Sequence, residues 1–555
     1  MTKTKNENIR VIPLGGVGEI GKAMYVVEID DEIFIVDSGL MFPEGEMLGI
    51  DIVIPDMTYI EENKDRLKGI FLTHGHEDAI GSIAYLLSKV QAPVYGSKLT
   101  IALAKEHLKN KQTPKNIKFF EVSNRSRMNF GRTYVTFFHT THSIPDSLGI
   151  VFHTSEGAIV HTGEFKFDQS AKGKYRPDIS KMAAIGDEGV FILMSDSSEA
   201  ERPGHTTPES VVAEQLSKTF HKAQGRILIA LYASNFIRMQ QVFDRAAESG
   251  RKVAVIGKSL ETYFEVGMKL GYLDVADGLV IPVKEIAKYD DSEVAIIVTG
   301  NQGEPLHALE RIVKRQHKDI RIKETDTVLI TFTPSPGMEV GMYNTMNELA
   351  KAGADVLTSS RKVHVSGHGS QEDLKLMLNL MKPKFFIPIQ GEYRMLIAHS
   401  KLAQQTGLPK SRIFIADKGD IVEYKNGKMR MTGRVTAGNV LIDGSGVGDI
   451  GNIVLRDRKL LSEDGIFIVV ITLNRKKKTI AAGPEILSRG FVYVRDSREL
   501  IGEAGELVKK IVGKYSNKES FEWTSIKQEI RDTLNSYLYQ KTKRRPMIIP
   551  IIMEY

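Results

Sequence analysis

The chain has 555 residues, 42% of them hydrophobic and 26% charged, and its formal net charge is +6. That length is too great for one hydrophobic core, and the composition is typical of a folded globular protein of about two to four domains. The absence of cysteine excludes disulfides, cysteine zinc sites and thiol chemistry, and a cytoplasmic location is expected. No apolar run reaches the ~18 residues that a membrane span needs. The small positive charge permits an anionic partner without establishing one.

A glycine-rich turn follows the first apolar run, Ile9–Leu14. Its spacing matches a dinucleotide-binding loop at Gly16, Gly18 and Gly21. Such a loop needs a helix directly after it, because the helix N-terminus holds the phosphates. Here the next two apolar runs, Met24–Ile29 and Ile33–Asp37, are separated only by an Asp-Asp turn, which is typical of a hairpin. We therefore predict a tight turn rather than a phosphate site.

The most informative stretch is a His-x-His-x-Asp turn directly after the short apolar run Gly69–Leu72. It contains His74, His76 and Asp78. Two histidines at this spacing can reach one divalent ion at ~2.0–2.1 Å, and imidazole and carboxylate are its preferred donors where sulfur is absent. The alternative is a polar loop whose histidines only form hydrogen bonds. The spacing favours a metal site, although the next residue, Ala79, carries no donor atom.

Two later predicted strands also end at a turn with a candidate ligand, His142 in one case and Glu164 in the other. Ligands at several strand ends meet at one edge of a sheet, so these turns predict a single metal cluster. Asp37 also ends a strand, and it either orients a metal-binding histidine or lies in a surface turn. Three further histidines are predicted to be ordinary strand residues: His139, His153 and His161.

Beyond the Glu164 turn, a buried strand ends at Asp196, and helices then alternate with predicted parallel strands from His205 to about Ser360. This alternation indicates a separate α/β insert. A polar turn at 232–235 follows the first of these strands. Another polar turn, His364–Ser370, precedes a helix, where small residues and histidines are typical of an anion site. A helix cap with hydrogen-bonded histidines is the alternative.

The C-terminal region differs in composition from the rest of the chain. Glycines and a charged stretch occupy 447–465, and strands and helices beyond them suggest a small α+β domain. Its two basic runs, 475–478 and 541–545, fit either charged turns or RNA contacts.

Together these features resemble the metallo-β-lactamase nucleases that carry a β-CASP insert, and the chain is similar to bacterial ribonuclease J from Ile9 to Glu554. The specific blocks are Leu14–Gly21, Leu48–Asp51, His142–Ser147, His364–His368 and Arg489–Arg495. The resemblance implies an α/β fold: a metallo-β-lactamase αββα sandwich at 1–205 and 361–446, and a β-CASP domain at 206–360. A linker at 447–465 and an α+β domain for oligomerisation at 466–555 would complete the chain.

Members of this family are 5′-to-3′ exoribonucleases, some also endonucleolytic, that act in mRNA decay and rRNA maturation on 5′-monophosphorylated single strands. Two metal ions, zinc or else manganese or magnesium, hold the attacking hydroxide. By resemblance, the first ion would be held by His74, His76 and His142. Asp78 would belong to the second ion, and Glu164 would bridge both where the family usually has aspartate.

The resemblance also assigns catalytic and binding roles. His368, supported by Asp196, would protonate the leaving oxygen, with Asp78 also counted as catalytic. The loops that grip RNA phosphates would be Tyr232, Ala233 and Ser234, and His364, Val365, Ser366, Gly367 and His368. A calcium-like structural ion would be bound by the carbonyls of Leu48 and Ile50 and by Asp443.

The chain departs from the family at the second metal, where Ala79 and Gln390 replace histidines. Alanine provides no ligand and a neutral amide is a poor one for a transition ion, so we expect one ion or none rather than two. Glu164 is also one methylene longer than the usual aspartate. Losing two ligands is expected to lower activity by ~10²-fold or more.

These losses resemble the type-two ribonuclease J paralogue of Firmicutes. The leading hypothesis is an RNA-binding subunit of weak or lost activity that supports a type-one ribonuclease J, in a homo-oligomer (dimer or tetramer) or a heteromer, with other RNA-decay proteins as further partners. The alternatives are a competent exoribonuclease, which would use one ion or a recruited donor such as Glu77, and a scaffold without an RNA role. A metallo-hydrolase of small molecules is the remote alternative.

Overall fold

The computed structural model describes residues 7–43, 45, 47–109, 111, 113–114, 116–300, 304–334, 337–444, 446–474, 479–492, 497–516 and 523–554. The basic run at 475–478 and positions 493–495 of the last resemblance block lie outside the described residues. The chain divides into two compact units, here called the first and second units. The first is Met1–Glu44 with Ile52–Val440, and the second is Gly45–Asp51 with Leu441–Tyr555.

Two sheets form the centre of the first unit. The larger contains β1 (Ile9–Gly15), β2 (Met24–Ile29), β3 (Glu32–Val36), β5 (Leu67–Phe71), β6 (Val94–Gly96), β7 (Phe119–Glu121), β19 (Asp420–Lys425) and β20 (Lys428–Arg434), in the order β20-β19-β1-β2-β3-β5-β6-β7. The smaller contains β8 (Arg127–Phe130), β9 (Thr133–His139), β10 (Leu148–Thr154), β11 (Gly157–His161), β12 (Val190–Asp196) and β18 (Phe385–Ile389), in the order β18-β12-β11-β10-β9-β8. The short strand β4 (Ile52–Pro55) lies between β3 and β5 in the chain.

Apolar side chains from both sheets form one buried core, in which Phe34 and Phe71 of the larger sheet meet Phe137 and Phe152 of the smaller. Helices of the first unit that lie outside the insert are α1 (Thr58–Glu62), α2 (Glu77–Ile80), α3 (Ile83–Lys89), α4 (Lys98–Leu108), α5 (Ile179–Gly189), α11 (Gln371–Met381) and α12 (Tyr393–Gln405). A second core joins the smaller sheet to α5, α11 and α12, and α4 packs against β6 and β7. These helix, sheet, sheet and helix layers confirm the predicted αββα sandwich.

A separate parallel sheet is built from the predicted insert. Its strands are β13 (Ile227–Ala230), β14 (Lys252–Ile256), β15 (Val294–Val298), β16 (Thr327–Ile330) and β17 (Asp355–Leu357), in the order β14-β15-β13-β16-β17. The helices that follow and precede them are α6 (Glu209–Lys222), α7 (Phe236–Glu248), α8 (Lys258–Leu270), α9 (Pro305–Val313) and α10 (Glu339–Lys351). Every pairing in this sheet is parallel. The central strands β13, β15 and β16 are buried throughout, as the alternation of helices and apolar runs predicts, whereas the edge strand β17 is not.

Two local details concern the glycine turn and the His-x-His-x-Asp turn. The glycine turn does lead into a hairpin, since β2 and β3 pair antiparallel as predicted. Beyond the His-x-His-x-Asp turn, the chain forms two short helices, α2 and α3, which are separated at Gly81. A Cβ at Gly81 would lie 2.5 Å from the Glu77 carbonyl oxygen and from the Leu40 side chain, so the chain passes this point only as glycine.

The second unit has its own core. A three-stranded sheet, order β24-β23-β25, contains β23 (Ile466–Asn474), β24 (Thr479–Arg489) and β25 (Met547–Glu554) and is covered by α14 (Arg498–Ser516) and α15 (Trp523–Thr542). A short hairpin of β21 (Asn439–Asp443) and β22 (Gly446–Val447) begins the unit. The segment predicted as a linker, 447–465, contains helix α13 (Asn452–Glu463). No residue of this helix is buried, and Ile453 is 67% exposed, so its apolar residues give only a weak helical pattern in the sequence.

Candidate metal centre

Three strand ends bring the predicted ligands together. His74 and His76 follow β5 of the larger sheet, whereas His142 follows β9 and Glu164 follows β11 of the smaller sheet. Their ligand atoms all lie within 4.8 Å of one another. Three of the four residues are fully buried, and His76 is partly buried. The first unit therefore brings these four residues together from strand ends that are distant in the sequence.

The nitrogen of His74 that faces away from the cluster is fixed by a relay. The Thr73 hydroxyl lies 2.9 Å from His74 Nδ1 and 2.8 Å from Asp37 Oδ2. A hydroxyl that donates to the carboxylate accepts a hydrogen bond from Nδ1–H, so a neutral His74 carries its proton on Nδ1 and its Nε2 lone pair faces the cluster. Asp37, 1% exposed, therefore acts on His74 through Thr73 rather than directly.

The other two histidines have comparable partners. His142 Nδ1 lies 2.9 Å from the Gly367 carbonyl oxygen, and His76 Nε2 lies 3.1 Å from the Ser143 hydroxyl. A carbonyl only accepts hydrogen bonds, so the Nδ1 of His142 carries the proton and its Nε2 is left as a ligand. Three histidines with fixed outer nitrogens are the arrangement that holds imidazole ligands on a transition ion.

Glu164 lies at the centre of the cluster. Its Oε2 is 3.4 Å from His74 Nε2 and 3.2 Å from His142 Nε2. Burial by itself raises the pKa of Glu164, but the neighbouring histidines, His74 first, outweigh it and hold the pKa well below the ordinary value. Burial likewise lowers the pKa of His74, and the carboxylates around it, Glu164 first, reverse this and raise the pKa to about 9. The negative charge of Glu164 and the positive charge of His74 thus stabilise each other in the buried cluster.

Two buried atoms in the cluster have no hydrogen-bond partner among the described residues, His74 Nε2 and Asp78 Oδ1. A buried polar atom without a partner is costly, so it marks a place where a ligand is expected. Three imidazoles and one carboxylate are also the donor set that zinc prefers. The residues of the first metal position therefore fit an ion.

The second metal position does not have a comparable donor set. Ala79 is buried and has no donor. Gln390 directs its amide nitrogen to Glu164 Oε1 at 2.9 Å, and its amide oxygen lies 3.3 Å from the Tyr25 hydroxyl. The amide oxygen is therefore not directed at the cluster. Asp78 and Glu164 remain as the only charged donors of the predicted set, and these residues do not fit a tightly bound second ion.

His368 and Asp196 form a close pair beside the cluster. His368 Nδ1 lies 2.7 Å from Asp196 Oδ2, and its Nε2 lies 3.9 Å from Glu164 Oε2. Burial lowers the pKa of His368, but Asp196 first and then Glu164 raise it to about 10. The imidazole is thus held as a cation whose Nε2–H faces the cluster. This geometry suits the predicted proton donor.

The loop around His368 lies against the metal-binding histidines. A Cβ at Gly367 would lie 2.6 Å from the His142 ring, so only glycine allows this approach. The Ser366 hydroxyl accepts a hydrogen bond from the His368 backbone nitrogen at 3.1 Å. His364 is partly buried, and desolvation lowers its pKa to about 3, so its imidazole is neutral and carries no charge toward a phosphate.

The second predicted phosphate loop, Tyr232 to Ser234, precedes α7. The side chain of Asn235 caps this helix by accepting from the Arg238 backbone nitrogen at 3.0 Å. The Ile237 backbone nitrogen donates to the Ser143 carbonyl at 3.3 Å, and Ser143 contacts His76. The N-terminus of α7, which favours negative charge, therefore begins beside the metal cluster.

The outer hydrogen-bond partners of the three histidines are Thr73, Ser143 and Gly367. Thr73 and Ser143 had no predicted role, and Gly367 was predicted only as part of a phosphate-binding loop. A hydroxyl next to each His motif was the available signal for the first two, whereas a carbonyl partner leaves no trace in sequence. Glu77, the donor considered for recruitment, is already engaged by the Tyr263 hydroxyl at 3.1 Å and by His107 Nε2 at 3.5 Å.

The three histidines predicted to be ordinary strand residues lie in β9, β10 and β11: His139, His153 and His161. His153 bonds to the Thr136 hydroxyl at 2.8 Å, and His161 packs 5.0 Å from Tyr25. None of them belongs to the candidate cluster found among the described residues.

The predicted structural cation site is engaged by an arginine of the same unit. Arg458 Nη1 donates to the Leu48 carbonyl at 2.8 Å, and its Nη2 donates to Asp443 Oδ2 at 2.7 Å. Two of the three predicted donors, the third being Ile50, thus already bind a guanidinium. A cation supplied by the chain satisfies them, so these residues do not fit a separate calcium ion in the present arrangement.

The sequence matches four family profiles. They are the metallo-beta-lactamase superfamily at 17–210, the ribonuclease J beta-CASP domain at 224–349, the Zn-dependent metallo-hydrolase RNA specificity domain at 353–416 and the ribonuclease J C-terminal domain at 453–555. No helix in the described part of the chain is long and apolar enough to cross a membrane.

Individual proteins are similar over the whole chain. Ribonuclease J 2 of Staphylococcus aureus (strain NCTC 8325) is 55% identical over 554 residues, which is 100% of both chains. Ribonuclease J 2 of Staphylococcus epidermidis (strain ATCC 35984) shows the same identity and coverage. A crystal structure of a protein of unknown function from Enterococcus faecalis V583 is 15% identical with a TM-score of 0.53, and the match covers 75% of this chain and 100% of that one. The last similarity concerns the fold alone.

Proposed function

This chain belongs to the ribonuclease J family, and we propose that within it the protein is an RNA-binding subunit with weak or lost 5′-to-3′ exoribonuclease activity. In this role it supports an active type-one ribonuclease J in mRNA decay and rRNA maturation. One observation carries the proposal. Gln390, at a position where the family has a metal-binding histidine, donates its amide to Glu164 at 2.9 Å, so a neutral hydrogen bond takes up an oxygen that a second ion would use.

The residues that remain have separable roles in this proposal. His74, His76, His142 and Glu164 would hold one ion, which would supply Lewis acidity toward water and a phosphate oxygen. His368 holds a proton at Nε2, kept there by Asp196. The loop at Ser366 and the N-terminus of α7 would bind RNA phosphates through backbone amides and hydroxyls.

Loss of the second ion accounts for weak activity. In a two-metal site both ions stabilise charge on the reacting phosphate, so one ion leaves part of that charge uncompensated. We expect a rate lower by ~10²-fold or more than that of a two-metal relative. RNA binding is expected to persist, because neither phosphate loop depends on Ala79 or Gln390.

A rate comparison tests the proposal. Wild-type protein, the double variant Ala79→His/Gln390→His and the control Ala79→His are incubated with 5′-monophosphorylated single-stranded RNA and zinc or manganese. The double variant should degrade RNA faster than wild type, and the single control should not. Equal rates for wild type and double variant would contradict the proposal.

The supporting role is tested by addition of a type-one ribonuclease J. We expect the two chains to elute together in size-exclusion chromatography, and the rate of the active enzyme to rise with the amount of this protein added. Ser366→Ala protein is the control for RNA binding, and it should form the complex but stimulate less. A rate that is independent of added protein would remove the supporting role.

A competent one-ion exoribonuclease is the second candidate. The Asp196–His368 pair, with 2.7 Å between Nδ1 and Oδ2, favours it because the proton donor is intact. In that case His368→Ala protein should lose nearly all RNA degradation by the purified protein, at unchanged metal content.

A further inference from the structure

Lys166 lies two residues beyond Glu164 and is almost completely buried, at 1% exposure. Its Nζ donates to the carbonyl oxygen of Ser366 at 3.0 Å and to Glu209 Oε1 at 2.9 Å. Its backbone nitrogen donates to the Thr141 carbonyl at 2.9 Å, next to the metal-binding His142. Lys166 thus contacts the His142 turn through its backbone and the loop proposed to bind phosphate through its side chain.

The contacts continue from Lys166 into the parallel insert. Glu209, the first residue of α6, accepts from Arg238 Nη2 at 3.1 Å through its other oxygen. Arg238 lies in α7, the helix that follows the second phosphate loop, and is 0% exposed. Its Nη1 donates to Gln241 Oε1 at 2.6 Å. We call Lys166, Glu209 and Arg238 the buried triad.

The central carboxylate of the triad is ionised. Burial raises the pKa of Glu209, but Arg238 first and then Lys166 lower it below the ordinary value. Its backbone nitrogen is also bound, donating to Asp168 Oδ2 at 2.7 Å. Hydrogen bonds therefore hold both the backbone nitrogen and the carboxylate of Glu209. The carboxylate in turn fixes the positions of the two basic side chains relative to each other.

Such a triad is not explained by stability. Removing three charges from water is costly, and apolar residues of equal volume often stabilise a protein as well or better. The distinctive property of the triad is its directionality, because the Lys166 ammonium and the Arg238 guanidinium each donate toward fixed acceptors. One end reaches the Ser366 loop, and the other, Arg238, lies in the first turn of α7, directly after the Tyr232–Ser234 loop.

We propose that Lys166, Glu209 and Arg238 are positioning residues that hold the Ser366 loop and the N-terminal loop of α7 at a fixed separation, so that both bind phosphates of one RNA strand. This rests on the proposed RNA-binding function. The triad touches no substrate. It sets where the loop carbonyls and amides lie, and with them the spacing at which successive phosphates are accepted.

The test uses the full-length chain with Lys166→Met, which keeps the buried volume and removes the charge. The dissociation constant for 5′-monophosphorylated single-stranded RNA, the melting temperature and the zinc content are measured together. We expect RNA binding to weaken by about 10-fold or more, since displacement of binding groups by ~1 Å has large effects, with zinc content unchanged. Unchanged RNA affinity, or a loss that merely follows a loss of zinc, would overturn the proposal.

A matched control distinguishes positioning from general stability. Arg226 and Asp326 form another buried pair in the insert, with contacts of 2.9 and 2.7 Å. Arg226→Met also removes a buried cation, so it should lower the melting temperature but leave RNA affinity unchanged. Equal weakening of RNA binding by both variants would show that the triad has no special role.

A double-mutant cycle tests the path through the loop. If Lys166 acts by placing Ser366, then Lys166→Met should weaken RNA binding much less in a Ser366→Ala background than in wild type. Independent, multiplicative losses would refute that path. If the wild-type and Lys166→Met proteins bind RNA equally well, the positioning role of the triad is wrong but the proposed function stands. If the wild-type protein binds no RNA, both the proposed function and the positioning role are wrong.

Discussion

The amide nitrogen of Gln390 lies 2.9 Å from Glu164 Oε1, and this hydrogen bond joins the turn after β18 to the turn after β11. It is buried, with Gln390 at 3% exposure. A neutral donor on this oxygen compensates only part of the carboxylate charge, and the histidines on the other oxygen compensate the rest. One oxygen of Glu164 is thus occupied by a hydrogen bond from an amide, while the other faces His74 and His142.

Metal content should reflect this replacement. We predict that the wild-type protein binds about one zinc ion per chain, because three histidines and Glu164 are the complete donor set found among the described residues. Ala79→His/Gln390→His protein should bind about two, with Asp78 and the two new imidazoles completing the second set. Mass spectrometry of dialysed protein measures the ratio. Two ions in wild type would contradict the one-ion site.

The relay from Asp37 to His74 should control metal affinity. Thr73→Val keeps the shape of the side chain but removes the hydroxyl that contacts both residues. We expect zinc affinity to fall by ~10 to 100-fold, the usual effect of losing a partner of a ligating histidine. Competition with a fluorescent zinc chelator measures it.

Thr136→Val is the control for this variant. Thr136 also bonds to a histidine, His153, at 2.8 Å, but that histidine is not in the metal cluster. The zinc affinity of Thr136→Val protein should therefore equal that of wild type. Equal losses in both variants would show a general effect of threonine replacement rather than a relay.

Acid should destabilise the protein through buried neutral histidines. Burial lowers the pKa of His399 to about 3, whereas an unfolded histidine titrates near 6.5. The unfolded chain therefore binds more protons below pH ~6.5, and the free energy of unfolding should fall by about 1.4 kcal/mol per pH unit for this residue as the pH drops toward 3. Above pH ~7 both states are neutral, and no dependence on His399 is expected.

His399→Leu protein isolates this contribution. His399 packs 4.8 Å from Phe386, so leucine remains in an apolar environment. Urea unfolding of both proteins at about pH 7.5 and pH 5.5 gives the two slopes, and the variant should lose stability less steeply on acidification. Parallel slopes would mean that His399 does not titrate between the folded and unfolded states.

Calcium should have little effect on the wild-type chain. Arg458 already binds the Leu48 carbonyl and Asp443, which are two of the donors that the family resemblance assigns to a structural ion. We predict that calcium leaves the melting temperature of wild type unchanged. In Arg458→Ala protein the same oxygens become free, and calcium should raise the melting temperature.

Arg544→Ala provides the comparison, because Arg544 also donates to a backbone carbonyl of the second unit, that of Phe491 at 2.9 Å. This variant should gain no response to calcium. Stabilisation of wild type by calcium would instead support the structural ion that the resemblance predicts.

The sequence by itself determined the parts that depend on local spacing. The His-x-His-x-Asp turn, the strand ends at His142 and Glu164 and the missing donor at Ala79 can all be identified without coordinates. The hairpin after the glycine turn and the parallel insert also follow from apolar periodicity. These features depend on neighbours within a few residues, which a linear pattern records.

Only the tertiary structure decided which distant groups meet. Nothing in the sequence indicates that Gln390 turns its nitrogen rather than its oxygen to Glu164, that Thr73 stands between Asp37 and His74, or that Lys166 reaches both Ser366 and Glu209. Hydrogen-bond direction and burial depend on residues separated by dozens to hundreds of positions, brought together when the two sheets pack. The local sequence therefore determines which residue types the site contains, and the tertiary structure determines how their side chains are oriented.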